Sequence, residues 1–314
     1  MGKVIAICIS ENKETQKHEV SLANFIENFG IEGDAHAGKY HRQISFLAKE
    51  DIDEFNKKGA DVANGAFGEN MIIEGINLKD LHVGDLLKCG DVIFEISQKG
   101  KACHDHCAIF YKMGECIMPK LGTFAKVVSG GIIKKGDEIN VIKRDTPFPF
   151  QAAVITLSDK GFKGEREDIS GPTIASILKE NGYEVVEQIL LPDEKVLLKK
   201  ELIRLSDQRE VDLILTTGGT GFGLRDITPE ATLEVMDRNA PGISEAIRQE
   251  SMKYTSHAML SRGMSVIRKK TLIINLPGSP KACKESIDVF IKPIEHAINL
   301  LRDNIKDCAR ENKQ

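Results

Sequence analysis

The apolar positions of this chain follow two rhythms, and the change comes near residue 145. Upstream, short apolar or alternating stretches predict strands at 3–9, 43–47, 70–73, 91–97, 124–128 and 138–142. The triplets Val83-Gly84-Asp85, Cys89-Gly90-Asp91 and Lys135-Gly136-Asp137 punctuate them, as glycine and aspartate do where a chain reverses. Residues 50–58 carry the main helical pattern of this half. Many short strands around one helix predict a mostly-β, barrel-like domain.

Downstream, strand and helix alternate. Strands are predicted at 152–157, 184–190, 211–215 and 271–275. A helix opens at Ser170, with Ile174, Ile177 and Leu178 as its apolar residues and Gly182 at its end. Further helices are predicted at 194–205, 229–237 and 243–254, and one long helix from 281 to about 303. Such alternation predicts an α/β three-layer domain with a mainly parallel sheet. Between the halves, Pro147 and Pro149 disfavour helix and remove ladder donors. The expected boundaries are therefore 1–145, a Pro-rich linker at 146–151, and 152–314.

Parallel sheets bind ligands beyond the carboxyl ends of their strands, and the downstream half concentrates its chemistry there. The strand at 211–215 runs into Gly218, Gly219, Thr220, Gly221, Phe222 and Gly223, then Arg225 and Asp226, with Thr228 and Pro229 as the expected N-cap and first helical residue. The glycines admit positive φ and let backbone N–H groups approach a ligand, and the next helix adds a positive dipole end. The spacing is that of neither a P-loop nor a Rossmann fingerprint. Four glycines in six residues nonetheless exceed what one turn requires, which points to an anion or nucleotide cradle. The other strand ends carry Ser158-Asp159, Asp193-Glu194 and Pro277-Gly278-Ser279. Helix capping explains any one of these residues; four such ends together point to a site.

At 314 residues, with 29% charged and 41% apolar residues, the chain suits two soluble domains. A net charge of −4 gives no support for broad nucleic-acid or membrane-surface binding. Without a leader-like segment or an apolar run of about 18 residues, the expected location is cytoplasmic. Of seven cysteines, Cys103, Cys107 and Cys116 cluster, the first two within Gly100-Lys101-Ala102-Cys103-His104-Asp105-His106-Cys107. A zinc site, a buried structural cluster and a reactive thiolate site are all open at this point.

The downstream half resembles the molybdopterin adenylyltransferase (MogA/MoaB-like) family over about residues 150–303. The resemblance lies in Thr217-Gly-Gly-Thr-Gly221, Arg225-Asp-Ile-Thr-Pro-Glu-Ala231, Leu260-Ser-Arg262, Val266-Ile-Arg268 and Asn275-Leu-Pro-Gly-Ser-Pro-Lys281. It implies transfer of AMP from ATP to the terminal phosphate of molybdopterin with release of pyrophosphate. It casts Asp193 and Asp226 as catalytic residues and Mg²⁺ holders, against the plainer roles of helix cap and loop ion pair with Arg225. Ser158, Asp159, Ser170, Gly171, Thr217, Gly218, Gly219, Thr220, Gly221, Pro277, Gly278, Ser279 and Lys281 are the expected nucleotide and pterin contacts, with Asp168 beside them. Arg262 and Arg268 are expected to pair either with substrate or with neighbouring carboxylates. A homotrimer formed through this half is also implied. The competing reading is a non-catalytic carrier or storage protein for molybdopterin or the molybdenum cofactor.

The upstream half resembles the MOSC domain over about residues 1–143, in Gly30-Ile-Glu-Gly-Asp-Ala-His-Ala-Gly38, Arg42-Gln-Ile-Ser45, Phe67-Gly-Glu-Asn70 and Gly114-Glu-Cys-Ile-Met-Pro119. This implies binding of the molybdenum cofactor, or sulfur carriage, through Cys103, Cys107 or Cys116. Lys101, His104 and His106 would favour the thiolate. His36, His41 and Arg42 are candidate anion contacts, and a sulfur donor or a molybdate-insertion protein is the expected partner.

Overall fold

Runs of β-branched and aromatic residues make the first unit a barrel. Its strands are β1 (Gly2–Ile9), β2 (His18–Val20), β3 (Leu22–Ile26), β4 (Gly30–Ile31), β5 (Ile44–Ala48), β6 (Met71–Glu74), β7 (Leu86–Cys89), β8 (Val92–Lys99), β9 (Thr123–Ser129), β10 (Gly131–Lys134) and β11 (Glu138–Ile142). Seven pair in the order β11-β7-β8-β9-β5-β6-β1, and β11 closes onto β1 with Gly2 opposite Ile139. Closure leaves these strands no free edge. Strand β2 adds beside β1, while β10, β3 and β4 form a small separate sheet. Inside, Phe25 and Phe46 meet Phe94 edge-on, with ring centroids 5.4 and 5.2 Å apart. Alternate barrel residues Ala6, Cys8, Leu47 and Ile72 belong to a second cluster, with Ile52 and Phe55 of α1 (Lys49–Lys57). Two short helices, α2 (Ala108–Met113) and α3 (Met118–Leu121), pack on that cluster.

The computed structural model describes residues 1–101 and 107–302, and the chain divides into two units between Phe148 and Pro149. The second unit contains β12 (Gln151–Leu157), β13 (Glu184–Leu191), β14 (Leu213–Thr217), β15 (Arg238–Asn239), β16 (Ser265–Arg268) and β17 (Thr271–Leu276). Its helices are α4 (Asp159–Phe162), α5 (Ser170–Glu180), α6 (Lys195–Asp207), α7 (Thr228–Val235), α8 (Pro241–Ser251), α9 (Pro280–Phe290) and α10 (Pro293–Leu301). Every residue of β12, β14 and β17 is buried, because helices cover both faces. Ile174, Leu178, Ile247, Ile287 and Ile298 from α5, α8, α9 and α10 fill one face; Leu198, Leu202, Leu205, Ala231 and Val235 from α6 and α7 fill the other. Each of the isoleucine, leucine and valine side chains contributes roughly 1.5–3 kcal/mol by leaving water.

The sheet order is β13-β12-β14-β17-β16-β15. The first four strands pair in parallel, whereas β16 and β15 are antiparallel. The sheet is therefore mixed, and the expectation of a mainly parallel sheet holds only for its four-stranded part. The reversal follows from a tight β16–β17 connection, in which Lys269 takes φ 49, too short for a crossover helix. The single long helix expected from 281 is also corrected. It breaks between Phe290 and Pro293, since proline lacks the N–H that would continue the ladder. Among the described residues no helix is long and apolar enough to cross a membrane.

Candidate functional site

Register brings the parallel strands to a common end, with Leu157 opposite Leu191, Thr156 opposite Thr217, and Thr217 opposite Leu276. The glycine loop leaves β14 at that level. Gly218 and Gly219 take φ of 95 and 63, which glycine adopts without steric cost. A Cβ at Gly218 would stand 2.3 Å from the Leu157 carbonyl oxygen, and one at Gly219 2.5 Å from Thr228 Oγ1. Backbone and neighbours are thus in closest approach here.

The hydrogen bonds of this loop are one-sided. The Gly218 carbonyl accepts from Thr228 Oγ1 at 2.8 Å and the Gly219 carbonyl from Thr228 N at 3.1 Å. Arg262 takes the next two, its backbone N–H donating to Thr220 O at 3.0 Å and its Nε to Gly221 O at 2.6 Å. Its Nη2 also donates to Asp226 O at 2.6 Å, and its Nη1 pairs with Glu230. The N–H groups of Gly219, Thr220 and Gly221 have no acceptor among the described residues. Carbonyls held back and amides left over make a cradle for an anion. Thr228 therefore lies one residue inside α7 and ties the loop with its hydroxyl rather than capping the helix, correcting the expected N-cap.

Acidic residues flank this cradle. Asp159 N donates to Asp193 Oδ2 and Asp193 N to Asp159 Oδ1, each at 3.0 Å, so the β12 and β13 ends brace each other. Arg225 grips Asp159 with two bonds of 3.0 and 2.8 Å and reaches Glu194 at 2.9 Å. That guanidinium holds the Asp159 carboxyl below its usual range. Burial pushes the Asp193 carboxyl up, and the negative Asp159 and Asp226 add to the shift. Neither plain alternative holds for the two aspartates. The residue before α6 is Glu194, not Asp193. Arg225 pairs with Asp159 and Glu194, while Asp226 Oδ2 accepts the Gly223 N–H at 2.7 Å.

The α5 and α9 ends complete the floor. Ser170 Oγ donates to Gly278 O at 2.9 Å, and Gly171 N to Asp168 Oδ1 at 3.0 Å. Thr217 Oγ1 donates to Pro277 O at 2.6 Å. Ser158 and Ser279 cap α4 and α9, accepting from Gly161 N at 3.0 Å and Ala282 N at 3.2 Å. Lys281 is 86% exposed and stands 3.8 Å from Glu285. Arg268 points elsewhere, binding Asp207 at 2.9 and 2.6 Å, which settles it among carboxylates rather than at the loop.

Over 164 residues the chain is 42% identical to the molybdopterin adenylyltransferase of Helicobacter pylori, spanning 51% of this chain and 93% of that protein. The chain belongs to the molybdopterin adenylyltransferase family. The enzyme of that name from Escherichia coli K12 is 41% identical over 138 residues, covering 43% of this chain and 70% of the relative. A solved MoaB structure from Thermus thermophilus is 44% identical and covers 49% of this chain and 97% of that one, with a TM-score of 0.47. Residues 153–296 match the family described as a probable molybdopterin binding domain, and residues 32–140 match the MOSC domain. This adenylyltransferase family member therefore carries a MOSC domain in its first unit.

Two further features of the adenylyltransferase domain escape sequence reasoning. One is the loop-binding work of Arg262, whose contacts lie 32 to 41 residues away in the chain. The other is a pocket of about 420 Å³ on the flank of the glycine loop, walled by Thr220, Phe222, Tyr254, Leu260, Pro277 and Glu285 among others. Its scattered residues leave no motif; only the exposed Phe222 and Tyr254 hint at it.

In the MOSC domain, Cys103, His104 and His106 lie outside the described residues. Cys107 is exposed at the start of α2, and Cys116 is half-buried against the second barrel cluster. Burial pushes the Cys8 and Cys89 thiols up to about 12 and about 11, so both stay protonated and inert. His41 Nε2 is 2.8 Å from Gln98 Oε1, and Arg42 lies over the Phe124 ring at 5.9 Å. His36 Nδ1 is buried with no hydrogen-bond partner. Among the described residues no group of three or more His, Cys, Asp or Glu side chains is placed to hold a metal.

Proposed function

We propose that this protein transfers AMP from ATP to the terminal phosphate of molybdopterin, in molybdenum cofactor biosynthesis. The observation that carries the reading is the loop in which the Gly218, Gly219, Thr220 and Gly221 carbonyls are taken while the Gly219, Thr220 and Gly221 amides remain for an anion. A phosphate oxygen of the pterin attacks the α-phosphorus of ATP, the bond to the bridging oxygen of the β-phosphate breaks, and pyrophosphate leaves. Such a transfer depends on alignment and charge neutralisation more than on a covalent intermediate. The loop amides hold phosphate oxygens, Thr217, Ser170 and the Pro277–Gly278 turn fix the floor beneath them, and Lys281 swings on the rim within reach of phosphate. Ser158 and Ser279 act by setting the helix starts that face the ligand. Arg225 keeps Asp159 ionised and adds positive charge at the cradle's edge.

Mg²⁺ suits the donors available, since Asp193 and Asp226 offer hard carboxylate oxygens beside the phosphate cradle. The lack of a self-sufficient ligand cage among the described residues fits an ion shared with substrate phosphates. Bound there, it would neutralise phosphate charge and sharpen the electrophilicity of the α-phosphorus.

The MOSC domain, in the same proposal, binds the molybdenum cofactor or carries sulfur through a thiolate. Exposed Cys107 supports this as the described thiol most open to solvent, with Cys103 and Cys116 as its neighbours in sequence. A separate sulfur donor or molybdate-insertion protein would then be the partner, and the adenylyltransferase unit would assemble as a homotrimer. The test is Asp226→Asn, which keeps a side-chain oxygen for the Gly223 N–H. Pterin binding retained with pyrophosphate release cut at least about 100-fold supports catalysis; unchanged release sinks the assignment.

A further inference from the structure

We propose that Arg262 is a positioning residue of the phosphate cradle, turning the Phe222 N–H into it as a fourth donor; this rests on the adenylyl-transfer reading above. No peptide bond of the loop is cis, and in a planar trans peptide the C=O and the following N–H point in opposite directions. Each held carbonyl therefore aims one amide. Thr228 Oγ1 on Gly218 O aims the Gly219 N–H, and Thr228 N on Gly219 O aims that of Thr220. Arg262 N on Thr220 O aims the Gly221 N–H. By the same rule Arg262 Nε, 2.6 Å from Gly221 O, aims the Phe222 N–H. Thr220 O and Gly221 O both face Arg262, so the Gly221 and Phe222 amides both face away from it. The Phe222 N–H has no acceptor among the described residues, and Phe222 is 72% exposed. The row ends there, since Asp226 Oδ2 takes the Gly223 N–H at 2.7 Å. Successive amides turned to one side make an anion nest.

The guanidinium is engaged in this work and not in contact with substrate. Its Nη2 reaches Asp226 O at 2.6 Å and its Nη1 pairs with Glu230 of α7, so its charge is met on the side away from the amides. One planar fork thus fixes Gly221 and Asp226, a proposed Mg²⁺ holder, against each other. The backbone that carries the fork is anchored as well. Two residues on, Met264 N donates to Asn275 Oδ1 at 3.1 Å and Met264 O accepts from Asn275 N at 2.8 Å. Asn275 is buried, and its Nδ2 donates to Thr216 Oγ1 at 2.9 Å, on the strand that feeds the loop. Lysine would keep the charge and lose the fork, because an ammonium on a flexible stem lacks the planar donor set. Donors set in place beforehand stabilise developing phosphate charge without reorganisation at the moment of reaction.

The experiment follows the backbone amides of the full chain by NMR during titration with inorganic pyrophosphate and, separately, with ATP and Mg²⁺. In the wild type the Gly219, Thr220, Gly221 and Phe222 amides should shift together. In Arg262→Lys the Phe222 response should be lost while those of Gly219 and Thr220, aimed by Thr228, persist. Pyrophosphate should bind this variant about tenfold more weakly, the effect of one hydrogen bond to a charged group. Thr228→Val, which removes Oγ1 and keeps the backbone N–H, should do the converse, dulling Gly219 and sparing Phe222. A Phe222 amide that stays silent in the wild type, or responds equally in Arg262→Lys, overturns the assignment. So does a loss spread evenly over all four amides in either variant, which would make these contacts props of the fold. A wild type in which none of the four responds to either probe defeats the cradle and with it the adenylyl-transfer reading, a result distinct from these.

Discussion

Asp34 in the barrel and Asp193 at the strand ends are both aspartates drawn out of water, yet they finish with opposite electrostatics. Burial pushes both carboxyls up. Around Asp34, the Lys17 ammonium at 2.5 Å, the Ser10 N–H at 3.0 Å and the Asn70 amide at 3.1 Å outweigh it, and the carboxyl lies below its usual range. Around Asp193, negative Asp159 and Asp226 reinforce burial, and the Asp159 N–H and Arg225 do not offset them. The first cluster is electrostatically closed and serves the fold. The second is short of positive charge and invites a cation or a cation-bearing phosphate. The contrast separates structural polar groups from functional ones without reference to motif.

The contrast breaks most visibly at Lys17. Lys17→Met leaves a buried carboxylate without its cation, and we expect the barrel to lose roughly 3–5 kcal/mol in urea unfolding. A loss below about 1 kcal/mol would show that the pair is not structural. Asp193→Asn should do the reverse, lowering pyrophosphate release by roughly 10²–10³ while the unfolding curve of its domain stays in place. Loss of fold together with activity would remove the distinction.

A smaller effect is expected at the loop. Gly219→Ala introduces a Cβ 2.5 Å from Thr228 Oγ1 at a φ of 63. We expect about 1–3 kcal/mol of strain, read as weaker binding of ATP or pterin with both units folded. Unchanged affinities would mean that loop geometry does not set the cradle. The smallest effect concerns pH. The folded Asp34 carboxyl lies below its unfolded value of about 3.9, so its contribution is full above that value and is lost as pH falls through the folded one. Barrel stability should decline on acidification in that window, and Asp34→Asn should lack this part of the decline. Equal acid slopes in both proteins would contradict the assigned direction.

Much of this was legible in the residues, for physical reasons that differ by region. The barrel strands expected at 70–73 and 138–142 alternate or run apolar because one face or both are buried, and the structure places β6 and β11 there, β6 one residue later in the chain. The buried β12, β14 and β17 announce themselves as continuous apolar runs. Strand β16 did not, because Lys269 turns the chain at positive φ without the glycine that usually marks such a turn. Pro293 was present as a break, but apolar periodicity on both sides of it disguised two helices as one. At the site, the glycine loop was visible and its bracing was not. Arg262 reaches Gly221 from 41 residues away, and the Asp159–Asp193 brace spans 34. Contacts of that kind come from strand order, which local pattern does not carry.

Labelled ATP distinguishes transfer of AMP from mere binding of pterin most directly. Full-length protein would be incubated with molybdopterin, Mg²⁺ and ATP carrying label either at the α-phosphorus or at the γ-phosphorus. Adenylyl transfer predicts α-label on the pterin and γ-label in pyrophosphate, in equal amounts. Pterin that binds but stays unlabelled while ATP remains intact would contradict it and leave a carrier in place of an enzyme.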